Sequence, residues 1–204
     1  MERTLTSHPI ERPRAAAGVD PARLGLWIFL ATVTMLFAAF SSAYLVRLAS
    51  GAWTPIHLPV LLWATSATLV VSSVTLETAR LRLGSAAARW IALTLALGLV
   101  FLAGQAAAWR ALHASGVLFP TSPHAAFLYV FTALHGAHLA GGLVWLATAW
   151  RTVGAAERSA RASAGDGRAA VPGPALADRL ARCATYWHFM GGLWIYLFAV
   201  LHLG

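Results

Sequence analysis

The chain has 204 residues, of which 59% are hydrophobic and 11% are charged, and its mean hydropathy is +0.68. Soluble domains carry about a quarter charged residues, so this composition excludes an ordinary soluble domain. The formal charge of +8 is typical of some nucleic-acid-binding proteins, but here the basic residues are all arginines that flank apolar stretches. We therefore expect no nucleic-acid partner.

Five long intervals carry no Asp, Glu, Lys or Arg. They are Leu24–Val46, Leu48–Leu76, Trp90–Trp109, Ala111–Trp150 and Cys183–Gly204. About 20 apolar residues in a helix cross a bilayer core of about 30 Å, so each interval is long enough to span the membrane. In the fourth, Gly116 and residues 120–124 indicate a loop before the span. We predict an all-α, polytopic membrane protein with a bundle of five transmembrane helices, at about residues 24–46, 60–80, 89–112, 125–150 and 181–203.

The arginines lie on alternate sides of these spans. Thirteen of the fifteen fall in the N-terminal arm, the second connection or the fourth connection, and only Arg47 and Arg110 fall on the other side. Arginine-rich connections stay in the cytoplasm, so we expect a cytoplasmic N-terminus and an outer C-terminus. The first apolar stretch is longer than the core of a signal peptide, and we interpret it as a retained helix.

Two segments outside the spans have the composition of loose chain. Residues 1–22 contain Pro, Gly and mixed charge, and predict a cytoplasmic arm before a membrane domain at 23–204. Residues 154–177 are rich in Ala, Gly, Ser, Arg and Pro, with almost no large apolar side chain. Such a segment buries too little surface to offset its ordering entropy, so we predict a flexible cytoplasmic linker there. The single cysteine, Cys183, excludes an internal disulfide.

Carboxylates are confined to the arm and the connections, with Glu77 at the edge of the second span. An acid inside the bilayer is the usual mark of a proton or ion path, so we do not expect transport through this chain alone. We find no internal repeat of the kind that many transporters contain. A small-molecule carrier is therefore the less favoured alternative.

Histidines are the remaining candidates for redox or metal chemistry. His135 and His138 share one face of the fourth span, and His188 lies in the fifth. At about 1.5 Å per residue, His138 lies about 18 Å from the inner edge of the membrane, whereas His188 lies about 8 Å from it. No histidine of the fourth span therefore lies at the same depth as a histidine of the fifth, as two ligands of one haem would need to. The His135–His138 pair also lacks the third ligand of a catalytic zinc site. We predict packed, hydrogen-bonded core histidines, with no catalytic, cofactor-binding or metal-binding residue; a stand-alone b-type cytochrome is the alternative.

Buried polar and small residues predict how the helices pack. Counted at about 1.5 Å per residue, Gln105 and His135 both lie about 22 Å from the inner edge. Because a buried amide needs a partner in hydrocarbon, we predict that they are hydrogen-bonded directly or through water. Small residues predict close approach of the helices: the pairs Gly136/Ala140 and Ala137/Gly141 in the fourth span, Gly98 in the third, and Gly191 and Gly192 in the fifth.

The last two spans carry two specific motifs in order. The first is Phe-Thr-Ala-Leu-His-Gly-Ala-His at 131–138, and the second is Tyr-Trp-His-Phe at 186–189, followed by Trp194. Weaker blocks are Leu24–Thr32, Leu58-Pro59, Ser72-Ser73 with Thr75, and Gly98–Gln105. From about Leu24 to its end, the chain resembles subunit III of haem-copper respiratory oxidases in the short five-helix bacterial form.

The resemblance implies a non-catalytic subunit of the bacterial cytoplasmic (inner) membrane that packs on the catalytic subunit I, in a complex with subunits I and II, and binds phospholipid. It implies that haem and copper reside in those partner subunits, and that the complex reduces oxygen to water with electrons from cytochrome c or quinol, coupled to proton translocation. The residues expected to make structural, lipid or subunit contacts are Trp27, Thr32, Gln105, His135, Gly136, His138, Tyr186, Trp187, His188 and Trp194.

The chain departs from the family pattern at three acidic positions. The membrane Glu that usually follows the small polar residue of the first-span block is Val33 here, after Thr32. The acid that often follows the Gln of the third span is replaced by Ala108, and the Asp that commonly follows Trp-His-Phe is replaced by Gly191. The resemblance therefore does not extend to a role for such a carboxylate in proton uptake. A companion subunit of a nitric oxide reductase is an alternative within the same family.

Overall fold

The computed structural model describes residues 20–51, 60–119, 122–164 and 173–202. In these ranges the regular elements are helices: α1 (Pro21–Ala49), α2 (Leu61–Leu81), α3 (Ala87–Ala114), α4 (Pro123–Ala164) and α5 (Pro174–Leu201). All five are long and apolar enough to cross a membrane, which confirms the predicted fold class. Residues 1–19 of the predicted arm, the Leu58-Pro59 block and residues 165–172 of the predicted linker lie outside the described ranges.

Local sequence explains where the helices begin and end. The Asp20 carboxylate accepts the amide of Ala22 at 3.0 Å, and Pro21 occupies the first turn, where a missing N–H costs nothing. After α3, Gly116 adopts a φ of 82°, a conformation that favours glycine. Ser122 Oγ then accepts the Ala125 amide at 3.1 Å and opens α4.

Four of the helices form a closed ring, and the first packs on its outside. Helix α2 contacts α3 and α5, and α4 contacts α3 and α5, whereas α1 contacts α4 and α5. The centre of the ring is filled by large side chains that are at most 1% exposed: Leu69, Phe101, Trp187 and Trp194. Helix α1 buries one stripe, which includes Leu30, Val33 and Phe37.

Neighbouring helices in the ring run antiparallel. Thr75 near the end of α2 meets Thr94 near the start of α3, with their hydroxyl oxygens 2.8 Å apart. At one end of the bundle, Arg182 of α5 pairs with Asp20 at the start of α1, with N and O atoms 3.1 Å apart. The arginine-rich connections between α2 and α3 and between α4 and α5 therefore share this end.

Helix α4 is longer than its apolar span. It continues to Ala164, and α5 begins at Pro174, so the prediction of a flexible linker at 154–177 is wrong for residues 154–164 and 174–177. The cause is tertiary packing: Val153 is 1% exposed, and Glu157 Oε1 accepts the Ala88 amide of α3 at 3.2 Å. A carboxylate near the positive N-terminal end of α3 stabilises that helix and links α4 to it. Composition alone does not reveal this contact.

Candidate functional site

The candidate residues fall into three places in the bundle. The ring interior holds Gln105, His135, Trp187 and Trp194, and the side facing α1 holds His138 and Tyr186. Gly136 of α4 lies next to Leu102 of α3, and the exposed surface holds Trp27, Thr32 and His188.

Two tryptophans of α5 tie that helix to α2. Trp187 Nε1 donates to Ser72 Oγ at 2.9 Å, and Trp194 Nε1 donates to Ser66 Oγ at 2.8 Å. The tryptophans lie seven residues apart, two helical turns, and therefore project from one face of α5. Each is 1% exposed, so both are core residues with their N–H groups satisfied.

Gln105 is buried but does not bond His135. Its Nε2 donates to Thr65 Oγ1 of α2 at 3.3 Å, and the side chain is 5% exposed. The predicted direct Gln105–His135 hydrogen bond is therefore wrong. The hydrogen-bond partner of Gln105 is instead the Thr65 hydroxyl on α2, which the sequence analysis did not predict.

His135 lies at the centre of the ring among aromatic side chains. It is fully buried, with its ring centroid 5.1 Å from that of Trp194 and 5.9 Å from that of Phe101. Within the described residues, neither nitrogen of His135 nor Oε1 of Gln105 has a hydrogen-bond partner. His135 is packed as predicted but lacks the predicted protein hydrogen bond, and a water bridge to Gln105 stays a prediction.

Two further motif residues, His138 of α4 and Tyr186 of α5, lie on the side of the ring that faces α1. Tyr186 Oη donates to the backbone oxygen of His138 at 2.7 Å, which joins α5 to α4. His138 Nδ1 lies 2.7 Å from the Leu134 carbonyl oxygen, a distance that requires the ring N–H to be the donor. The rings of Phe29 and Phe37 from α1 contact His138, with centroids 6.1 and 5.9 Å away. Through this cluster, α1 packs against the outside of the ring.

His188 is an exposed residue, so the prediction that it is a core histidine is wrong. Its Nε2 lies 3.6 Å from Glu77 Oε2, and Glu77 is also paired with Arg80 at 2.9 Å. Trp27 is 54% exposed, and Thr32 is exposed with its hydroxyl donating to the Phe29 carbonyl. These three candidates lie on the surface of the chain.

Close helix approach depends on Gly98, as predicted, and on Gly104 and Gly142, which were not predicted. A Cβ at Gly98 would lie 2.7 Å from Leu143 Cδ2, one at Gly142 would lie 2.6 Å from Tyr186 Cε1, and one at Gly104 would collide with Thr65. In contrast, a Cβ at Gly136 would make an ordinary contact with Leu102 at 3.7 Å, and one at Gly141 would meet nothing within 4 Å. The predicted small pairs are in the right region, but Gly142 was missed.

Each contact between ring helices thus carries a polar link. The α2–α3 contact has Thr75–Thr94 and Thr65–Gln105, the α3–α4 contact has Trp109 Nε1 donating to Thr132 at 2.9 Å, and the α4–α5 and α2–α5 contacts have the links described above. The described residues contain no group of three or more His, Cys, Asp and Glu that could hold a metal ion. What this arrangement does is fix the rotation of each helix against its neighbours.

Comparison with known proteins identifies relatives along almost the whole chain. No protein-family profile matches. "Probable cytochrome c oxidase subunit 3" of Mycobacterium tuberculosis (strain ATCC 25618 / H37Rv) is 28% identical over 98% of this chain and 93% of its own length. "Cytochrome c oxidase subunit 3" of Bacillus subtilis (strain 168) is 26% identical over 88% and 84%, and that of Synechocystis sp. (strain ATCC 27184 / PCC 6803 / Kazusa) is 29% identical over 90% and 76%. The resemblance recognised from the motifs is confirmed: this chain is a homologue of proteins named cytochrome c oxidase subunit 3.

Proposed function

We propose that this chain is the non-catalytic subunit III of a haem-copper respiratory oxidase in the bacterial cytoplasmic membrane. The observation that carries the proposal is the collinear similarity to relatives of that name, which extends over 98% of the chain. The five helices that are long and apolar enough to span a membrane support a multi-pass location.

A scaffold role fits the chemistry of the bundle interior. The buried donors of Trp187, Trp194 and Gln105 are each taken up by a hydroxyl on α2. Groups bonded in this way hold helices in register; such polar pairs in membrane bundles are worth about 0.6 kcal/mol on average. In this proposal the haems and copper belong to subunits I and II, and none of the ten candidate residues is catalytic.

Helix α1 is the least buried of the described helices and so has a surface available to a neighbour. It packs on α4 and α5 and leaves Trp27, Met35 and Val46 more than half exposed. We place the contact with subunit I or with phospholipid on exposed residues of this kind, including Thr32. The complete complex would reduce oxygen to water with electrons from cytochrome c or quinol and would translocate protons.

Copurification tests the proposal directly. An affinity-tagged chain, extracted from its native membrane in mild detergent, is expected to carry a haem-copper catalytic subunit that consumes oxygen when given reduced cytochrome c or quinol. Purification of the chain alone with stoichiometric haem would contradict the proposal. A partner that reduces nitric oxide and not oxygen would instead assign the chain to a reductase complex.

Removing the chain tests its role within the complex. We expect membranes that lack it to retain haem-copper activity at first, because the cofactors lie elsewhere, and then to lose activity faster during turnover. The measurement is the decay of oxygen consumption over successive turnovers, with a strain that re-expresses the chain as the control. Immediate and complete loss of a correctly assembled catalytic centre would argue against a supporting role.

A further inference from the structure

A groove on the outside of the ring runs between α2 and α5. Val70 and Ser73 belong to its lining from α2, and His188, Gly192 and Ile195 belong to its lining from α5. The volume of the cavity is about 270 Å³, close to the lower limit of about 300 Å³ for pockets that hold drug-sized ligands. The groove therefore has room for a single ring system and not for a bulky ligand.

Two adjacent glycines of α5 keep this groove open. A Cβ at Gly191 would lie 3.5 Å from Ser73 Oγ and would occupy space beside that hydroxyl. A Cβ at Gly192 would meet nothing within 4 Å. Because Gly192 lines the groove, a larger side chain at this position would fill part of it without colliding with the rest of the chain.

The Ser73 hydroxyl differs from the other hydroxyls of α2. Each of the others donates to a carbonyl oxygen three or four residues earlier in the helix: Thr65, Ser66, Thr68, Ser72, Thr75 and Thr78. Within the described ranges, Ser73 Oγ has no hydrogen-bond partner, although it lies in an apolar span and lines the groove. A hydroxyl without a partner in hydrocarbon is costly, so Ser73 is a donor available to a ligand.

The end of the groove nearest the arginine-rich connections is polar, but its charges are balanced. His188 Nε2 lies 3.6 Å from Glu77 Oε2, and the same carboxylate is paired with Arg80 at 2.9 Å. The carboxylate and the guanidinium offset each other, so an anionic headgroup would find no uncompensated positive charge here. A neutral ligand with carbonyl oxygens could instead accept from the Ser73 hydroxyl and from the ring N–H of His188.

We propose that this groove binds the head ring of a membrane quinone, with a carbonyl oxygen accepting from Ser73 and the apolar tail along Val70 and Ile195. Those two side chains are 50% and 54% exposed, so a tail beside them would cover apolar surface. A quinone is a flat, uncharged ring with two carbonyl oxygens, which matches the two donors, the balanced charge and the open space beside Gly191 and Gly192. The site goes beyond the proposed function and requires only that the chain spans a membrane.

Photolabelling tests the location of the site in the full chain with its copurifying partners. The sample is reconstituted in nanodiscs and irradiated with a photoreactive azidoquinone, and the labelled residues are mapped by mass spectrometry. We expect saturable labelling within residues 66–73 and 188–195, displaced by decylubiquinone. Gly192→Leu should abolish this labelling by filling the groove. The matched control Gly25→Leu, at another glycine with open space beside it, should leave the labelling unchanged.

The hydroxyl of Ser73 is tested by substitutions that remove it or keep it. Ser73→Ala should weaken the binding of decylubiquinone, measured by displacement of the label, about threefold to tenfold, because one hydrogen bond is lost. Ser73→Thr retains a hydroxyl and should keep most of the affinity. Ser42→Ala, which removes an exposed hydroxyl from α1, is the matched control and should have no effect.

Equal labelling of Gly192→Leu and the parent chain would overturn the proposal, and so would equal affinities of Ser73→Ala and the parent chain. Native mass spectrometry of the same samples detects other occupants of the groove. If Gly192→Leu loses a bound phospholipid or a copurifying subunit in place of a quinone, the groove belongs to that occupant and the proposal fails. A parent chain that is labelled as expected but carries no haem-copper subunit would contradict the proposed function alone.

Discussion

Single hydrogen bonds between an indole and a serine hold α5 against α2. Where water is scarce, an unpaired indole N–H is costly, and a small hydroxyl is the group that fits beside a ring of this size. Ser72 Oγ, which itself donates to the Leu69 carbonyl at 2.6 Å, is therefore free to accept from Trp187. The two bonds specify which face of α5 points into the ring.

Replacing Trp187 with Phe should destabilise the bundle by removing this bond together with part of the indole ring. A double-mutant cycle with Ser72→Ala is expected to give a coupling free energy of about 0.6 kcal/mol, and at most about 1.7 kcal/mol. Thermal unfolding in detergent is the measurement. Tyr196→Phe, at an exposed position of the same helix, is the control and should change little. Strictly additive effects would show that the bond contributes nothing.

A second prediction concerns a water-mediated link between the Gln105 and His135 side chains. Both keep unpaired buried polar atoms, and a water that bridges them would pair Gln105 Oε1 and one of the two His135 nitrogens. Gln105→Leu and His135→Leu should then be non-additive in unfolding free energy, because either change removes the bridge. The pair Gln105→Leu and Thr65→Val, which share a direct hydrogen bond, is the positive control. Coupling in the control and none in the test pair would exclude a water-mediated link.

At the scale of helices, packing depends on which glycine faces a neighbour. Gly141 and Gly142 are adjacent on α4, yet Gly142 lies against the Tyr186 ring and Gly141 has open space beside it. The Tyr186 ring has little freedom to move away, since its hydroxyl is bonded to the His138 carbonyl. Identical substitutions at the two positions therefore separate close packing from helix propensity.

Gly142→Ala should lower the free energy of unfolding by about 1–2 kcal/mol, because the added methyl group overpacks the contact between α4 and α5. Gly141→Ala should be neutral or stabilising by up to about 1 kcal/mol, since alanine is the better helix former and meets no neighbour. Thermal unfolding of the two variants side by side is the measurement. Equal losses of stability would show that the bundle does not depend on this close approach.

The extension of α4 beyond its apolar span depends on Glu157. Glu157→Ala removes the acceptor for the Ala88 amide at the first turn of α3 and is expected to cost about 0.5–2 kcal/mol. Hydrogen exchange should accelerate at the amides of residues 87–90, and Glu157→Gln, which keeps an acceptor without the charge, should have a smaller effect. Asp178→Ala, at an exposed position, is the control. Unchanged hydrogen exchange at the amides of residues 87–90 would show that Glu157 does not stabilise the start of α3.

For the molecule as a whole, thirteen of fifteen arginines lie at one end of the bundle or in the segments attached to it. Because arginine-rich connections are retained in the cytoplasm, we expect that end to face inward. In a Cys183→Ala background, Ser85→Cys in the connection between α2 and α3 should react with an impermeant thiol reagent only in inverted vesicles. Ser115→Cys, after α3, should react only in right-side-out cells. The opposite pattern would reverse the orientation.

Much of the bundle follows from the order of residues along the chain. Uncharged intervals of sufficient length define the spans, Gly116 and Pro123 mark the break before α4, and the two His- and Trp-containing motifs identify the relatives. The hydrogen-bond partner of Gln105 and the exposure of His188 could not be predicted from the order of residues. Both depend on how far each helix rotates about its axis, and rotation leaves no trace in a sequence whose lipid-facing and core-facing residues are equally apolar.

The order of residues is sufficient to predict the five-helix membrane architecture, the asymmetry of its arginines and its similarity to oxidase subunits, because length, charge and motif order are properties of a linear chain. The folded bundle is needed to show that Trp187 and Trp194 bond serines of α2, that Gly142 and not Gly141 is the close contact, and that Glu157 holds an extended α4 against α3. These features depend on the rotation and axial position of helices far apart in sequence, which side-chain packing and hydrogen bonding set only after the helices meet.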